Sequence, residues 1–116
     1  MDKKGCIFCK IANKEMPARI VHDDGRMIAF EDVNPQAPVH CVIIPKAHIE
    51  RLSDVTAAEA PLVGEMALVA SKIAAEKGIA ESGYRIVINC NKDAGQAVFH
   101  IHMHLLGGRH LSWPPG

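Results

Sequence analysis

Histidine occupies every second position of a short segment near the C-terminus, where residues 100–104 read His-Ile-His-Met-His. The residues between the histidines are apolar, and alternation of this kind predicts a β-strand. Successive strand side chains point to opposite faces, so His100, His102 and His104 are expected to share one face, about 7 Å apart from one to the next. The apolar residues expected to back this row are Phe99, Ile101, Met103 and Leu105.

The composition is that of one globular domain, expected to span residues 1–116, with 48% hydrophobic and 22% charged residues. Thirteen basic and thirteen acidic side chains leave no net charge, which argues against a nucleic-acid partner because such proteins carry a basic excess. No apolar run approaches the roughly 18 residues that cross a bilayer, and the N-terminus lacks an apolar signal core. We therefore predict a cytoplasmic protein with no membrane association.

The remaining segments predict an α+β fold. A short helix is expected over residues 6–13, and a long helix is expected after Thr56, which forms a capping box with Glu59. Strands are expected over residues 18–22, 26–31, 39–44, 84–89 and 98–106. Because short loops join most of these strands, we expect an antiparallel sheet with the long helix packed on one face.

Two of the four cysteines have the spacing of metal ligands. Cys6 and Cys9 are separated by two residues, and a thioredoxin-like redox pair would need a βαβ context that is missing here. A structural zinc site commonly has two cysteines and two histidines, and His48 with one histidine of the row would complete it. The alternative is a pair of reduced thiols without a metal. Cys41 and Cys90 lie in apolar, strand-like runs and are expected to be buried.

Two kinds of chemistry remain open for the histidine row. Three imidazoles can hold a catalytic zinc ion, but ligands at alternate positions of one strand extend about 13 Å, so only two of them would reach one ion. In the second interpretation the central imidazole is a nucleophile, and its neighbours supply protons or bind phosphate oxygens. The turn at residues 95–97 precedes the row and favours an anion site through its backbone N–H groups. His40 would contribute only if its strand lay beside the row.

Segments along nearly the whole chain resemble the histidine triad superfamily. Its signature is H-x-H-x-H followed by two apolar residues, and the segments CIFCKI, RMIAFEDVNPQAPVH, VIIPKAHI, YRIVIN and GQAVFHIHMHLLGGR also resemble it. The terminal WPPG resembles the Hint branch. The resemblance implies a five-stranded antiparallel sheet with one long helix and one short N-terminal helix, and a homodimer whose sheets join into a ten-stranded sheet. It also implies that the protein binds a purine nucleotide such as AMP or GMP and cleaves the P–N bond of purine nucleoside 5′-phosphoramidates.

The resemblance assigns a role to each matching residue. His102 would attack the α-phosphorus and form a nucleotidyl-histidine, His104 would contact the phosphate and assist the leaving amine, and His40 would pack beside His102. Asp32 would bind the ribose hydroxyls, and Trp113 would approach the site of the partner subunit. The base pocket would be lined by Ile7, Phe8, Phe30 and Val33. The phosphate would be surrounded by Asn89, Gln96 and the backbone at Ala97.

Some bacterial members of the superfamily carry zinc on two N-terminal cysteines, the histidine of the PKxH segment and the first histidine of the triad. These positions correspond to Cys6, Cys9, His48 and His100. The implied zinc ion, one per chain, is structural and joins the N-terminal helix to the histidine segment. His100 is therefore expected both among the catalytic histidines and among the metal ligands, and His102 stays uncoordinated.

One departure from the superfamily pattern concerns residue 97. Many relatives have a hydroxyl residue two positions before the aromatic residue of the histidine segment, and this chain has Ala97. A lost bond to phosphate would cost about 1–3 kcal/mol, while the backbone N–H remains. The departure leaves open a nucleotide-binding interaction protein with little catalysis. Hydrolysis of dinucleoside polyphosphates is a third possibility, against which the WPPG tail argues.

Overall fold

The computed structural model describes residues 3–116 and contains a five-stranded antiparallel sheet. In chain order the elements are α1 (Ile7–Ala12), β1 (Ile20–Asp23), β2 (Met27–Glu31), β3 (Val39–Pro45), α2 (Ala60–Glu76), β4 (Tyr84–Val87) and β5 (Met103–Gly107). The strands lie in the order β1-β2-β3-β5-β4, and every neighbouring pair is antiparallel. The predicted α+β class and the predicted order of elements are confirmed.

The two helices pack on opposite faces of the sheet. Alternate residues of β2 separate the two faces: Met27 and Ala29 join the cluster under α2, while Ile28 and Phe30 join the cluster under α1. Met66, Val69 and Ile73 are buried in α2, and their spacing of three and four residues places them on one face of the helix. None of the helices in residues 3–116 has the length and apolar character that a bilayer crossing requires.

The predicted capping box is present, but it caps a different element. The Thr56 hydroxyl accepts the N–H of Glu59, and the Glu59 carboxylate accepts the N–H of Thr56. These bonds close a 3₁₀ turn over Ala57–Glu59, and α2 begins immediately after it. Pro61 lies in the first turn of α2, where a missing N–H costs no helical hydrogen bond.

The histidine segment is a strand only in its second half, so the prediction of a strand over residues 98–106 is wrong for residues 98–102. β5 pairs with β3 from Gly107 opposite Val39 to Met103 opposite Ile43, and it begins at Met103. Before that point Ile101 donates its N–H to the carbonyl of Ile49 instead of to a strand. The physical reason is the end of the partner strand, because β3 stops at a proline that has no N–H to donate.

Other predictions at the ends of strands also need correction. Phe99 does not back the histidine row: it is 43% exposed, and the Arg51 guanidinium lies 5.5 Å from its ring centre. β4 ends at Val87 instead of residue 89. Cys90 is therefore outside any strand and only half-buried, whereas Cys41 is buried in β3 as predicted. Ile101, Met103 and Leu105 are buried, as the alternating pattern predicts.

Candidate active site and metal centre

A cavity of about 880 Å³ opens between α1, the β2–β3 loop and the histidine segment. One end is apolar, and the other end holds two imidazoles and the turn at residues 95–97. Its apolar wall includes Ile7, Phe8, Ile11, Met16, Phe30 and Val42, and its polar end includes Asp32, Gly95, Ala97, His102 and His104. A mainly apolar wall with a few convergent polar groups is the usual form of a small-molecule site.

His102 is held in one tautomer by a main-chain group. Its Nδ1 lies 2.8 Å from the carbonyl oxygen of His100, so Nδ1 carries the proton and Nε2 carries the lone pair. The side chain is 7% exposed, and burial lowers the pKa of the ring, which is therefore neutral at pH 7. Since His102 lines the cavity, its unprotonated nitrogen has the properties of a nucleophile.

His40 and His104 form a hydrogen-bonded pair beside His102. His40 Nε2 lies 2.9 Å from His104 Nδ1. The ring neighbours of His102 are Phe8 and His104, so His40 does not pack directly beside His102 as the resemblance implies. The strand register explains this placement, because His40 pairs with Leu106 and is diagonal to His104 on the same face. Burial lowers the pKa of both rings, that of His104 to about 4.

Asp32 lies at the rim of the cavity next to this pair. Its Oδ2 is 3.4 Å from His40 Nε2, and its Oδ1 accepts the N–H of Asn34 at 2.8 Å. The side chain remains 21% exposed. A carboxylate in this position is accessible to hydroxyl groups of a ligand while it also faces the imidazole pair.

The loop before the histidine segment brings backbone groups to the polar end of the cavity. Gly95 has φ of +83°, which favours glycine, and both Gly95 and Ala97 line the cavity. The buried Gln96 amide accepts the N–H of Asn91 and donates to the carbonyls of Glu50 and Val98. Gln96 therefore fixes the loop, and its side chain does not face the cavity.

The remaining residues predicted for nucleotide binding fall into two groups. Ile7, Phe8, Phe30 and Val33 line the cavity, with Val33 on its rim and 99% exposed. Two others lie outside the cavity wall. Asn89 is half-buried beyond the end of β4, and Trp113 is 82% exposed in the C-terminal tail. The prediction that Trp113 approaches a partner's site stays a prediction.

Four potential metal ligands converge next to the cavity, namely Cys6, Cys9, His48 and His100. Their ligand atoms all lie within 4.8 Å of one another. His100 Nδ1 lies 3.5 Å from each cysteine sulfur and 3.1 Å from His48 Nδ1. Tetrahedral zinc with bonds of about 2.0–2.3 Å separates its ligands by roughly 3.3–3.8 Å. Both the donor set and the spacing therefore fit a zinc ion.

A hydrogen bond behind the cluster prepares His100 for coordination. His100 is fully buried, and its Nε2 donates to the carbonyl of Pro45 at 2.7 Å. This bond places the proton on Nε2 and leaves Nδ1 for a metal, as a hydrogen bond to the other ring nitrogen does in known metal sites. Sequence reasoning missed the carbonyls of Pro45 and His100, because a main-chain acceptor has no side-chain signature.

A second group of potential ligands, Asp32, His40 and His104, does not pass the same test. Its ligand atoms also lie within 4.8 Å of one another. However, the backbone N–H of Gln36 donates to His40 Nδ1 at 3.0 Å. Since a ligating imidazole carries its proton on the nitrogen opposite the metal, this N–H opposes coordination through His40 Nε2. The group is therefore a hydrogen-bonded cluster of the active site.

One short helix, α1, contributes residues both to the group of four potential metal ligands, called the metal cluster below, and to the cavity wall. Cys6 caps α1 and Cys9 lies within it. Between them Phe8 packs edge-on against Phe30, with ring centres 5.6 Å apart, and against His102, at 5.0 Å. The position of α1 therefore determines both the metal ligands and one wall of the cavity.

The fold and the site define a class: a small α+β protein with a neutral, tautomerically fixed histidine in a cleft.

A sequence model of the HIT domain matches residues 13–111. The purine nucleoside phosphoramidase of Escherichia coli K12 is 51% identical over 105 residues, which cover 90% of this chain and 88% of that protein. A HIT-like protein of Synechocystis is 50% identical over 110 residues, covering 95% and 96% respectively. The structure of a HIT family hydrolase from Legionella pneumophila matches with a TM-score of 0.95 and 49% identity, covering 97% of this chain and all of that one. The chain belongs to the HIT family.

Proposed function

We propose that this protein is a hydrolase that binds purine nucleotides and cleaves the P–N bond of purine nucleoside 5′-phosphoramidates, such as AMP-amide and AMP-lysine. The observation that carries the proposal is the bond from His102 Nδ1 to the His100 carbonyl, which leaves Nε2 free at the polar end of the cavity. The name of the Escherichia coli relative supports the substrate class.

The reaction proceeds in two displacements at phosphorus. In the first, the lone pair of His102 Nε2 forms a bond to the α-phosphorus while the P–N bond breaks, and the leaving nitrogen departs with the bonding pair and takes up one proton. The Nδ1–H of His102 keeps its bond to the His100 carbonyl, which stabilises the positive charge on the ring. In the second, water attacks phosphorus, the Nε2–P bond breaks and its electron pair returns to Nε2, and the proton that the attacking water releases replaces the one that the leaving nitrogen took up.

Different parts of the cavity wall would bind the base, the ribose and the phosphate of a nucleotide. Phe8 and Phe30, with Ile7 and Val33, provide the apolar end for the base, and Asp32 at the rim accepts the ribose hydroxyls. The phosphate then lies near His104 and the backbone N–H of Ala97, with Gln96 holding that loop in place. With the phosphate in this position, His104 Nε2 would donate a hydrogen bond to the phosphoryl group or to the leaving nitrogen.

A zinc ion on Cys6, Cys9, His48 and His100 would be structural, one per chain. With four protein ligands a tetrahedral zinc site is closed, so the ion supplies a cross-link and no open position for chemistry. The residues that it joins come from α1, from the segment after β3 and from the segment before β5. The chain's own residues carry out the reaction beside it.

A homodimer through β4 is the proposed assembly. β4 lies at one edge of the sheet, and its Tyr84 and Ile86 are 38% and 41% exposed. An exposed apolar edge strand favours pairing with another chain, and pairing with the partner's β4 would give a ten-stranded sheet. The exposed Trp113 of one protomer would then be available to the site of the other.

The test of this function is the replacement His102→Ala. We expect turnover of AMP-amide to fall by about 10³ or more, because the nucleophile is lost, while AMP still binds and the circular dichroism spectrum stays the same. Intact-mass spectrometry of the wild-type protein, quenched during turnover, should show one added nucleotidyl group. Normal turnover by the variant would contradict the proposal.

A nucleotide-binding interaction protein with little catalysis is the second candidate function. It is favoured by Ala97, which has no hydroxyl, and by the Gln96 amide, which is bonded to the loop instead of facing the cavity. Negligible turnover of every phosphoramidate by the wild-type protein, together with micromolar AMP binding, would support this candidate over the first.

A further inference from the structure

The C-terminal tail is fitted closely against the loop between β2 and β3. Arg109 donates through Nη2 to the carbonyl of Gln36 at 3.0 Å and through Nη1 to the carbonyl of His110 at 2.9 Å. Gly108, with φ of +90°, comes so near to Pro38 that an added Cβ would lie 2.9 Å from the Pro38 Cβ. The turn at residues 108–109 and the loop therefore hold each other in one arrangement.

The contacted residue, Gln36, has its other main-chain group aimed at the active site. Its N–H donates to His40 Nδ1 at 3.0 Å. The loop around it is fixed by two further bonds, from the N–H of Asp32 to the His40 carbonyl at 2.9 Å and from the N–H of Asn34 to Asp32 Oδ1 at 2.8 Å. Arg109 therefore bonds the carbonyl of the same residue whose N–H donates to His40.

A donor at His40 Nδ1 determines where the protons of two rings lie. Since Nδ1 accepts a hydrogen bond, neutral His40 carries its proton on Nε2. That proton is donated to His104 Nδ1, 2.9 Å away, so neutral His104 in turn carries its proton on Nε2. Because His104 lines the cavity, its Nε2–H is the one available to a ligand.

We infer that Arg109 is a positioning residue, which holds Gln36 so that the N–H of His104 faces the reacting phosphoryl group. The order of contacts is Arg109 to the Gln36 carbonyl, Gln36 N–H to His40, and His40 to His104. Arg109 itself is exposed, and it is neither a residue of the cavity wall nor one of the potential metal ligands. The kinetic part of this inference rests on the proposed function, whereas the positions of the protons do not.

The direct test is two-bond ¹H–¹⁵N correlation spectroscopy of the imidazole rings at pH 7.5. In the wild-type protein we expect His40 and His104 to carry their protons on Nε2, and His102 to carry its proton on Nδ1. In the Arg109→Ala variant the signals of His40 and His104 should move toward values for mixed tautomers. The signal of His102 should stay unchanged, because the His100 carbonyl holds it independently.

Two further variants separate this role from a general loosening of the tail. Arg85 donates to the carbonyls of Leu111 and Ser112, so Arg85→Ala frees the tail without touching Gln36 and should keep the wild-type histidine spectrum. Arg109→Lys retains a donor for the Gln36 carbonyl and should restore most of that spectrum. If Arg109→Ala fails to fold, Arg109→Met takes its place, because it keeps the apolar stem and lacks the donor to the Gln36 carbonyl; a wild-type histidine spectrum in that variant would overturn the inference.

The kinetic readout is the turnover of AMP-amide by the folded variants. Arg109→Ala should lower kcat by roughly two- to tenfold, since the competent arrangement becomes one of several, with AMP affinity within a factor of two. A proton on His40 Nδ1 in the wild-type protein, or matching histidine spectra of Arg109→Ala and Arg85→Ala, would overturn the inference. If the wild-type protein cleaves no phosphoramidate, the proposed function fails, and the spectra still test the inference.

Discussion

Three imidazoles in and beside the cavity owe their proton positions to main-chain groups. The Pro45 carbonyl sets His100, the His100 carbonyl sets His102, and the Gln36 N–H sets His40. Main-chain groups do not titrate, so these positions persist wherever the rings are neutral. Under the proposed function, the three histidines of residues 100–104 have different roles although they are chemically identical: a metal ligand, a nucleophile and, through its bond to His40, an N–H donor.

Residue 97 offers a test of the proposed phosphate position. Ala97 lines the cavity, and Ala97→Ser would add a hydroxyl group at the proposed phosphate position. We expect kcat/KM for AMP-amide to rise by about tenfold, since a hydrogen bond to a charged group contributes roughly 1.5 kcal/mol. Ala94→Ser, an exposed position in the same loop, is the matched control and should leave the rate unchanged. Equal rates for both variants would contradict this placement of the phosphate.

The half-buried His104 predicts how stability depends on pH. Burial lowers the pKa of its ring to about 4, whereas an unfolded chain has a histidine pKa of about 6.5. Between these values the unfolded state binds a proton that the folded state does not, so the free energy of unfolding falls as pH falls from about 6.5 towards 4. Thermal unfolding between pH 4.5 and 7.5 should show this loss.

The variant His104→Gln isolates the contribution of this ring. Acid also releases a metal from cysteine and histidine ligands, but it does so in both proteins. We therefore expect the melting temperature of His104→Gln to depend less steeply on pH below 6.5. Identical slopes for the two proteins would show that His104 does not carry the effect.

At the scale of elements, the stability of α1 depends on its contacts with the rest of the fold. It has six residues, and helices this short are not stable alone in water. Its buried residues Cys9, Ile11 and Ala12 tie it to the sheet and to the metal cluster. Since the same helix carries Phe8 in the cavity wall, metal binding and nucleotide binding should be coupled.

Removal of the metal should therefore weaken nucleotide binding. We expect about one equivalent of zinc per chain in the wild-type protein. In a Cys9→Ser variant we expect this zinc content to fall and the Kd for AMP to rise roughly tenfold, within the usual range of coupling between two sites. Elemental analysis and titration calorimetry measure the two quantities. Cys90→Ser, which lies outside the cluster, should change neither, and an unchanged AMP affinity in metal-free Cys9→Ser would refute the coupling.

At the scale of the whole molecule, the two edges of the sheet differ. β1 pairs with β2 through an irregular register between Ile20 and His22, and Asp23 at its end binds Lys14 and Lys46. Bulges and charges of this kind protect an edge from pairing. β4 keeps a regular register along its whole length and exposes Tyr84 and Ile86, so it is the edge suited to a partner.

This difference predicts which charge insertion disrupts the proposed dimer. Ile86→Lys on β4 should shift the protein to a monomer in sedimentation velocity experiments, because it would place a charge in the proposed apolar interface. Ile20→Lys on β1 is the matched control, as the two side chains are 41% and 39% exposed, and it should leave the dimer intact. A monomeric wild-type protein, or dimers of both variants, would argue against assembly through β4.

Much of the fold and the site follows from local sequence signals. The apolar stripe of α2, the capping box at Thr56 and the alternation around Met103 predict elements that the structure contains. These signals are reliable because they depend on neighbours within a few residues. The ends of β4 and β5 were predicted less well, since a strand ends where its partner stops offering hydrogen bonds.

The sequence by itself determined which residue types are available: a row of histidines, a cysteine pair and one long amphipathic helix. Only the tertiary structure decided what each histidine does, because that depends on groups distant along the chain. The Pro45 carbonyl accepts the Nε2 proton of His100 and leaves Nδ1 for the cysteine side. The pairing of β3 with β5 places His40 within hydrogen-bond distance of His104 instead of His102. Proton positions follow from three-dimensional hydrogen bonding, which no spacing of residues encodes.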